Sequence, residues 1–290
     1  MTRKNCLITG STSGIGFIAA RELARNGWHM ILHARNKEKA EQTKQQIIQE
    51  TGNQNVDILL ADMSSLDQVK KAADEIKERL DHLDILINNA GLILGSERQL
   101  SEDGYEKTVA INHLAPFLLT AELVELLEKS NEARIINVAS EAYRAAAPDF
   151  EDFNMETSYS GWKAYGNSKL YNIMFTEELA ERVKSYTNIL TYSLHPGTVA
   201  TNFSESAGGL TNFVFKLMRP FISTPEQGAE TMIYLASEEH IPAYNGAYFI
   251  NKKPAKVNHN YFTPENNRRL WEISEQLVGC KFLSEEEKVR

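Results

Sequence analysis

Cysteine is scarce in this sequence: among 290 residues there are only Cys6 and Cys280. Two thiols at opposite ends of a chain form neither a metal-ligand cluster nor a disulfide framework, so a reducing compartment is the simple expectation. The 7 histidines are scattered, with no H-x-x-x-H pair on a predicted helix, so no metal site is expected. Basic residues are in the minority. Lys plus Arg number 31 against 39 Asp plus Glu, a net charge of −8. That balance excludes general nucleic-acid binding, though not a local basic pocket for a phosphate. No run of about 18 apolar residues occurs, and none that long means no expected transmembrane helix. The opening MTRKNCLITG lacks the apolar core of a leader, so no signal peptide and a cytoplasmic location are expected. Linkers, internal repeats and low-complexity tracts are also missing. One domain spanning 1–290 is therefore the economical reading, with 251–290 as a C-terminal extension.

What the chain does have is a rhythm. Short apolar runs alternate with helical patterns: 5-NCLIT-9, 28-WHMILHA-34, 56-VDILLA-61, 83-LDILIN-88, 134-RIINVAS-140, 189-ILTYSLH-195 and 247-AYFI-250 read as strands. Helices are predicted over 15–26, 37–50, 65–80, 98–110, 113–129, 161–185, 225–236 and 264–278. Aliphatic strands alternating with helices imply an α/β fold, a single doubly wound Rossmann-type parallel sheet with helices on both faces. In such a sheet ligands bind beyond the C-terminal strand edge. The two longer interruptions, 141–160 and 202–224, follow strands and fall on that edge.

Directly after the first strand stands 9-TGSTSGIG-16. Gly10, Gly14 and Gly16 allow a tight turn and close approach of backbone to a ligand. The residues Ser11, Thr12, Ser13 and Ile15 fill the turn and open a helix whose N-terminus suits a pyrophosphate. The bland reading is a strand–helix turn without a ligand. The second strand ends 33-HARN-36, with no Asp or Glu among 29–37. An acidic residue there would hold a ribose 2′-hydroxyl, whereas Arg35 can grip a 2′-phosphate, which favours NADP(H) over NAD(H). The alternative for Arg35 is a solvated strand end.

These elements come in a fixed order with others: Asp62 and Met63 in 61-ADMSS-65, 88-NNAG-91, Asn112 in 111-INHL-114, Ser140, Tyr165-x-x-x-Lys169 and 196-PGTVAT-201. Together they resemble the short-chain dehydrogenase/reductase superfamily over roughly residues 4–250. The stretches 85-ILINNAG-91, 111-INHLAPFLLT-120, 168-SKLYNIMFTEELAERV-183, 195-HPGTVAT-201 and 246-GAYFINKK-253 resemble its retinol-dehydrogenase-like branch. The light-dependent protochlorophyllide reductases are a related branch that relies on active-site cysteines; neither Cys6 nor Cys280 lies near the pocket predicted here.

The resemblance implies an enzyme moving a hydride between nicotinamide and a carbonyl or alcohol. It implies that Tyr165 exchanges the proton, Ser140 orients the substrate oxygen, Lys169 favours the phenolate and binds the nicotinamide ribose, and Asn112 holds a relay water beside the Lys. It also implies cofactor contacts for Asp62 and Met63 at the adenine, for Asn89, Ala90 and Gly91 at the adenosine ribose, and for Pro196, Gly197, Thr198, Val199 and Thr201 at the carboxamide or phosphates. Singly, Asp62 and Thr201 read equally well as caps and Asn89 as a turn former. His195, ending a strand before Pro196, is assigned no proton transfer and is expected to be a packed wall residue.

The spacing Tyr-x-x-x-Lys occurs twice, in 159-YSGWKAYGNSK-169. Gly161 interrupts the first pair, placing it at the helix entrance, while Leu170, Ile173, Met174, Leu179 and Val183 dock the helix that carries the second. Positions six apart on a helix also differ by about 240°, so the two tyrosines face different directions. Tyr165 and Lys169 are the expected pair, and Tyr159 and Lys163 are expected at the substrate mouth. The apolar segment 203–222 is read as a substrate flap, implying an apolar substrate such as a retinoid, an aliphatic or aromatic aldehyde or ketone, or a steroid; a packed helix, a subunit interface and, through Lys216 and Arg219, a membrane-contact surface are the alternatives. The faces of 113–129 and 161–185 serve equally as a homo-oligomer interface or an internal contact. A non-catalytic NADP(H)-binding redox sensor or scaffold is the alternative function, against which the intact Tyr and Lys speak.

Overall fold

The computed structural model describes residues 3–185, 188–197, 224–241 and 243–283. The strands β1 (Asn5–Ile8), β2 (His29–Ala34), β3 (Val56–Leu60), β4 (Ile85–Asn88), β5 (Ala133–Val138), β6 (Ile189–His195), β7 (Tyr248–Ile250) and β8 (Lys253–Pro254) form one sheet in the order β3-β2-β1-β4-β5-β6-β7-β8. Every pairing through β7 is parallel. The order reverses between β1 and β4, which opens a crevice at their C-terminal ends.

Seven helices matter for the argument: α1 (Gly14–Arg25), α2 (Lys37–Thr51), α3 (Leu66–Arg79), α4 (Lys107–Glu128), α5 (Gly161–Arg182), α6 (Pro225–Ser237) and α7 (Pro264–Val278). Strand side chains alternate between faces. Leu7, Ile31, Leu86 and Ile135 therefore join α3, α4, α5 and α7 in one core. Cys6, Ile8, Met30, Leu32, Ile85 and Ile87 join α1, α2 and α6 in the other. The sheet is thus covered on both faces, which explains why its strands are continuous apolar runs.

Helix α4 is long and apolar enough, by length and composition, to cross a membrane, but 83% of its apolar window is buried inside the protein. It is placed as a core helix. Its first turns relax into a π turn, Ala110–Leu114, which carries Asn112 and His113. Such wide turns often occur at functional sites.

Two local expectations are corrected. The helix expected over 98–110 begins only at Lys107, where the Glu106 carboxylate accepts from the Thr108 and Val109 amides. Ahead of it, Gly104 takes φ 83° and Leu100 pairs with Glu106 across a tight reversal. A side-chain cap and a left-handed glycine together end what composition alone reads as helix. Strand β8 was not expected. It forms because Asn251 and Lys252 both take positive φ, 49° and 61°, the geometry of a two-residue hairpin turn.

The C-terminal extension closes over the α4 and α5 faces. Trp271 of α7 is buried, its ring 4.9 Å from Phe117 and 5.8 Å from Phe175. Among the described residues, this part of the two helices makes an internal contact.

Candidate active site

The glycine turn lies at the crevice. Gly10 has φ +64°, and a Cβ on it would stand 2.9 Å from Ala90 Cα; one on Gly16 would stand 2.5 Å from Asn89 Nδ2 and 2.6 Å from the Gly10 carbonyl oxygen. Strand β4 is knitted to this turn through Thr9, whose hydroxyl accepts from the Asn89 and Ala90 amides, both at 2.9 Å. Asn89 Nδ2 in return donates to the carbonyls of Thr9 at 2.8 Å and Gly10 at 3.0 Å. The Asn89 side chain is a turn former here. Ser13 caps α1 without a side-chain bond, and Ile15 is buried. A close-packed turn opening on a helix end without a side-chain cap fits an anionic diphosphate.

His33, buried at the end of β2, was not anticipated. Its Nδ1 accepts from the Gly10 amide at 3.2 Å, and its Nε2 lies 3.2 Å from the Ala61 carbonyl. Because an amide can only donate, the ring carries its proton on Nε2. Burial holds its pKa down, to about 4, so the neutral tautomer persists at ordinary pH. The signal lay in the sequence as a polar residue inside an apolar strand, but its partner is distant along the chain.

Next to this turn, Arg35 is exposed and its Nη1 lies 3.6 Å from Asp62 Oδ2. Asp62 Oδ1 accepts from the Ser64 amide and hydroxyl, both at 2.8 Å, shaping the turn after β3. Against burial, these bonds and then Arg35 keep its carboxyl below the usual range. The cap of α3 is Ser65 rather than Asp62. Met63 is buried in the core, so only its backbone can face the crevice.

At the end of β5, Ser140 caps the short turn Glu141–Ala145, with its hydroxyl accepting from the Ala142 amide at 3.2 Å. The Tyr165 phenol bonds to Ser140, yet burial dominates and pushes its pKa up to about 12. The Lys169 ammonium, itself buried, lies 5.5 Å from the Tyr165 ring centroid and donates to the Val138 carbonyl at 2.9 Å. Burial pulls its pKa down to about 8. Lys169 is expected to favour the phenolate, but here burial is the largest cause acting on the phenol, and it is protonated at neutral pH.

Asn112 is fully buried and its side-chain bonds are made to protein. Oδ1 accepts from the Leu92 amide at 2.8 Å, while Nδ2 donates to the Leu92 carbonyl at 2.9 Å and the Ser168 hydroxyl at 3.0 Å. It clamps the loop after β4 to α5. Gly91 sits against it: a Cβ there would meet Asn112 Oδ1 at 3.2 Å and Lys169 Nζ at 3.6 Å. His195 Nδ1 accepts from the Glu141 amide at 3.3 Å, the expected packed role. Pro196 and Gly197, the latter at φ 83°, turn the chain off β6. Thr198, Val199, Thr201 and all of 202–224 except Thr224 lie outside the described residues.

The doubled Tyr-x-x-x-Lys resolves differently from the angular argument. Helix α5 starts at Gly161, so Tyr159 precedes it and has no place on its wheel. Its hydroxyl is buried, and after burial itself Glu106 and Arg98 are the groups that act on it. Lys163 acts on Asp152. Tyr159 belongs to the loop before α5, and Lys163 to the first turn of α5. An exposed aromatic next to Tyr165 is Trp162, 49% exposed, its ring 6.2 Å from that of Tyr165. Its spacing from Tyr165, one helical turn, was the overlooked signal.

Gly161 also has a packing reason. A Cβ there would stand 2.1 Å from the Leu94 carbonyl oxygen and 2.3 Å from that of Gly95. Gly161→Ala is expected to destabilise the protein by about 1–3 kcal/mol, the usual overpacking range. Denaturant unfolding checks this; unchanged stability would mean the 92–96 loop yields freely.

The model of the short chain dehydrogenase family matches residues 4–209. The chain belongs to the short-chain dehydrogenases. Within them it falls in the retinol-dehydrogenase-like branch. It is 36% identical to human Retinol dehydrogenase 11 over 276 residues, covering 95% of this chain and 86% of that protein. It is 38% identical to mouse Retinol dehydrogenase 14 over 292 residues, covering 96% and 87%. Among solved structures, an uncharacterized protein from Mycobacterium Paratuberculosis superposes with TM-score 0.78 at 28% identity, covering 97% of this chain and 95% of that one. A short chain dehydrogenase from Shigella flexneri 2a complexed with NADP superposes with TM-score 0.68 at 25% identity, covering 87% and 98%. As a member of this family the chain is an oxidoreductase.

Proposed function

We propose that the chain is an NADP(H)-dependent oxidoreductase acting on an apolar carbonyl or alcohol, with Tyr165 as the proton donor in the reducing direction. The observation that carries this reading is the grouping of Tyr165, Ser140 and Lys169 beside the glycine turn, with the phenol raised to about 12. Bound nicotinamide supplies or accepts the hydride. Everything else falls to the chain. Ser140 holds the substrate oxygen against the phenol. Tyr165 gives that oxygen its proton as negative charge develops on it. Lys169 keeps a positive charge one helical turn away and stabilises the phenolate left behind. Trp162 supplies an exposed apolar wall at the mouth, which suits a planar or extended apolar substrate.

The phosphate preference rests on Arg35. Its exposed guanidinium follows β2, with no Asp or Glu among residues 29–37, and is paired with Asp62 only at 3.6 Å. The NADP held by the Shigella flexneri relative is in keeping with it. Arg35→Asp is expected to weaken NADPH binding by roughly 10–100-fold, the size of a lost charge-assisted pair, and to favour NADH. Fluorescence titration of both cofactors measures it. An unchanged NADPH to NADH ratio would leave Arg35 a solvated strand end.

A panel of retinaldehyde, aliphatic and aromatic aldehydes, and ketones with NADPH tests the substrate class. The redox-sensor alternative predicts cofactor binding without turnover anywhere in the panel.

A further inference from the structure

Beneath Lys169 lies a run of buried polar groups that the mechanism does not use. The Val138 carbonyl, on which the ammonium rests, also accepts from Asn172 Nδ2 at 3.2 Å. Asn172 follows Lys169 by three residues, so both side chains leave the same face of α5. Behind it stands His113, fully buried in the π turn beside Asn112 and walled by the rings of Phe117, Tyr171 and Phe175 at 6.3, 5.4 and 6.1 Å. Its Nε2 is 2.8 Å from the Ser274 hydroxyl of α7.

His113 Nδ1 and Asn172 Oδ1 are both buried without a hydrogen-bond partner, and Asn172 is near enough to the imidazole to oppose the effect of burial on it. Burial holds the imidazole well down, to about 3, so it is neutral and carries one proton. Two tautomers are possible. With the proton on Nε2, two acceptors, His113 Nδ1 and Asn172 Oδ1, face each other in the core, a costly arrangement. With the proton on Nδ1, the ring donates to Asn172 Oδ1 and accepts from the Ser274 hydroxyl. That hydroxyl is also 2.8 Å from the Leu270 carbonyl, but helical backbone bonding already supplies that carbonyl with a donor, so the hydroxyl can turn to His113. Only the second arrangement lets the two unpaired atoms partner each other.

We propose that Ser274, His113 and Asn172 form a positioning chain that fixes the Val138 carbonyl under Lys169 and so ties α7 to the proton-handling pair. The inference rests on the role given to Lys169 above. Its consequence is that Ser274, beyond the residues matched by the family model, supports the catalytic lysine. Helix α7 then serves as a brace for the site as well as a cover for the core.

The test combines kinetics with a reading of the ring. Steady-state rates are measured with NADPH and the fastest aldehyde of the panel for Asn172→Ala, Ser274→Ala and the double variant. Each single loss is worth about one buried hydrogen bond, so kcat should fall roughly tenfold for Asn172→Ala and roughly threefold for Ser274→Ala, with both KM values unchanged. The double variant should be no slower than Asn172→Ala, because coupled residues do not add. Losses that multiply to about thirtyfold would overturn the chain, since independent sites add in free energy. Nitrogen-15 NMR of the wild-type imidazole, which needs neither turnover nor a folded variant, should find the His113 proton on Nδ1; a proton on Nε2 also overturns it. A fully active Tyr165→Phe would instead sink the catalytic reading on which the chain depends. An inactive Tyr165→Phe with multiplying losses would sink this inference alone.

Discussion

Tyr165→Phe should lose carbonyl reduction by roughly 10²–10⁴-fold in kcat while keeping its fold and its NADPH affinity, the range that one positioned acid contributes. The phenol is protonated at neutral pH because burial pushes it up to about 12. As the proposed acid it would hold the proton until charge on the substrate oxygen draws it off. Phenylalanine keeps the ring that packs beside Trp162 and under Lys169. What it removes is the hydroxyl shared with Ser140. KM for NADPH should stay within about twofold, since the interaction lost is made in the transition state. Stopped-flow NADPH oxidation with a saturating aldehyde reads the effect. Full activity in the variant would remove Tyr165 from the chemistry.

Lys169→Met should separate activity from stability, abolishing turnover while raising the melting temperature. The ammonium is buried and its pKa falls from 10.5 to about 8. Between those values the unfolded chain binds more protons than the folded one, so stability rises with pH there. Below about pH 8 the fold carries the whole burial penalty, on the order of 3 kcal/mol. Methionine fits a similar volume without charge and leaves Asn172 on the Val138 carbonyl. After subtracting the lost hydrogen bond, about 2 kcal/mol remains, or roughly 5 °C in Tm for a chain of this size. The gain should be largest at pH 7 and vanish near pH 10.5. In the wild type, reduction should decline as pH rises through about 8, when Lys169 loses its proton. A lower Tm in Lys169→Met, or a gain independent of pH, would contradict the assignment of a charged buried lysine.

The residues legible in the sequence are those whose cause is local. The glycine turn could be read because Gly10 and Gly16 follow an apolar strand and precede a helix, and their tolerance for backbone contact needs no knowledge of partners. Helix α7 was read to its ends because Thr263 caps it with a bond to the Asn266 amide and Gly279 closes it in the left-handed region. Residues 98–110 misled because their composition is helical while a reversal at Gly104 and the cap at Glu106 decide the structure. For Met63 and Asn89 the motif does not show where the side chains go: one packs in the core and the other bonds the glycine turn. Spacing puts Trp162 near Tyr165 and Asn172 near Lys169 on one helix face, but gives His33 no such neighbour, and it does not say what any of the three touches. His33 and Asn172 each act through a partner that only the folded sheet and helix faces bring close.

The chain is a short-chain dehydrogenase by family, and the proposed activity is NADP(H)-dependent reduction of apolar carbonyls. The most direct measurement is single-turnover absorbance of enzyme-bound NADPH after mixing with retinaldehyde, a long-chain aliphatic aldehyde and an aromatic aldehyde. The account predicts that at least one consumes one equivalent of NADPH per site and yields the alcohol, with NADH reacting more slowly under the same conditions. Tight NADPH binding with no oxidation by any of the three would contradict it and leave a cofactor-binding protein without this chemistry.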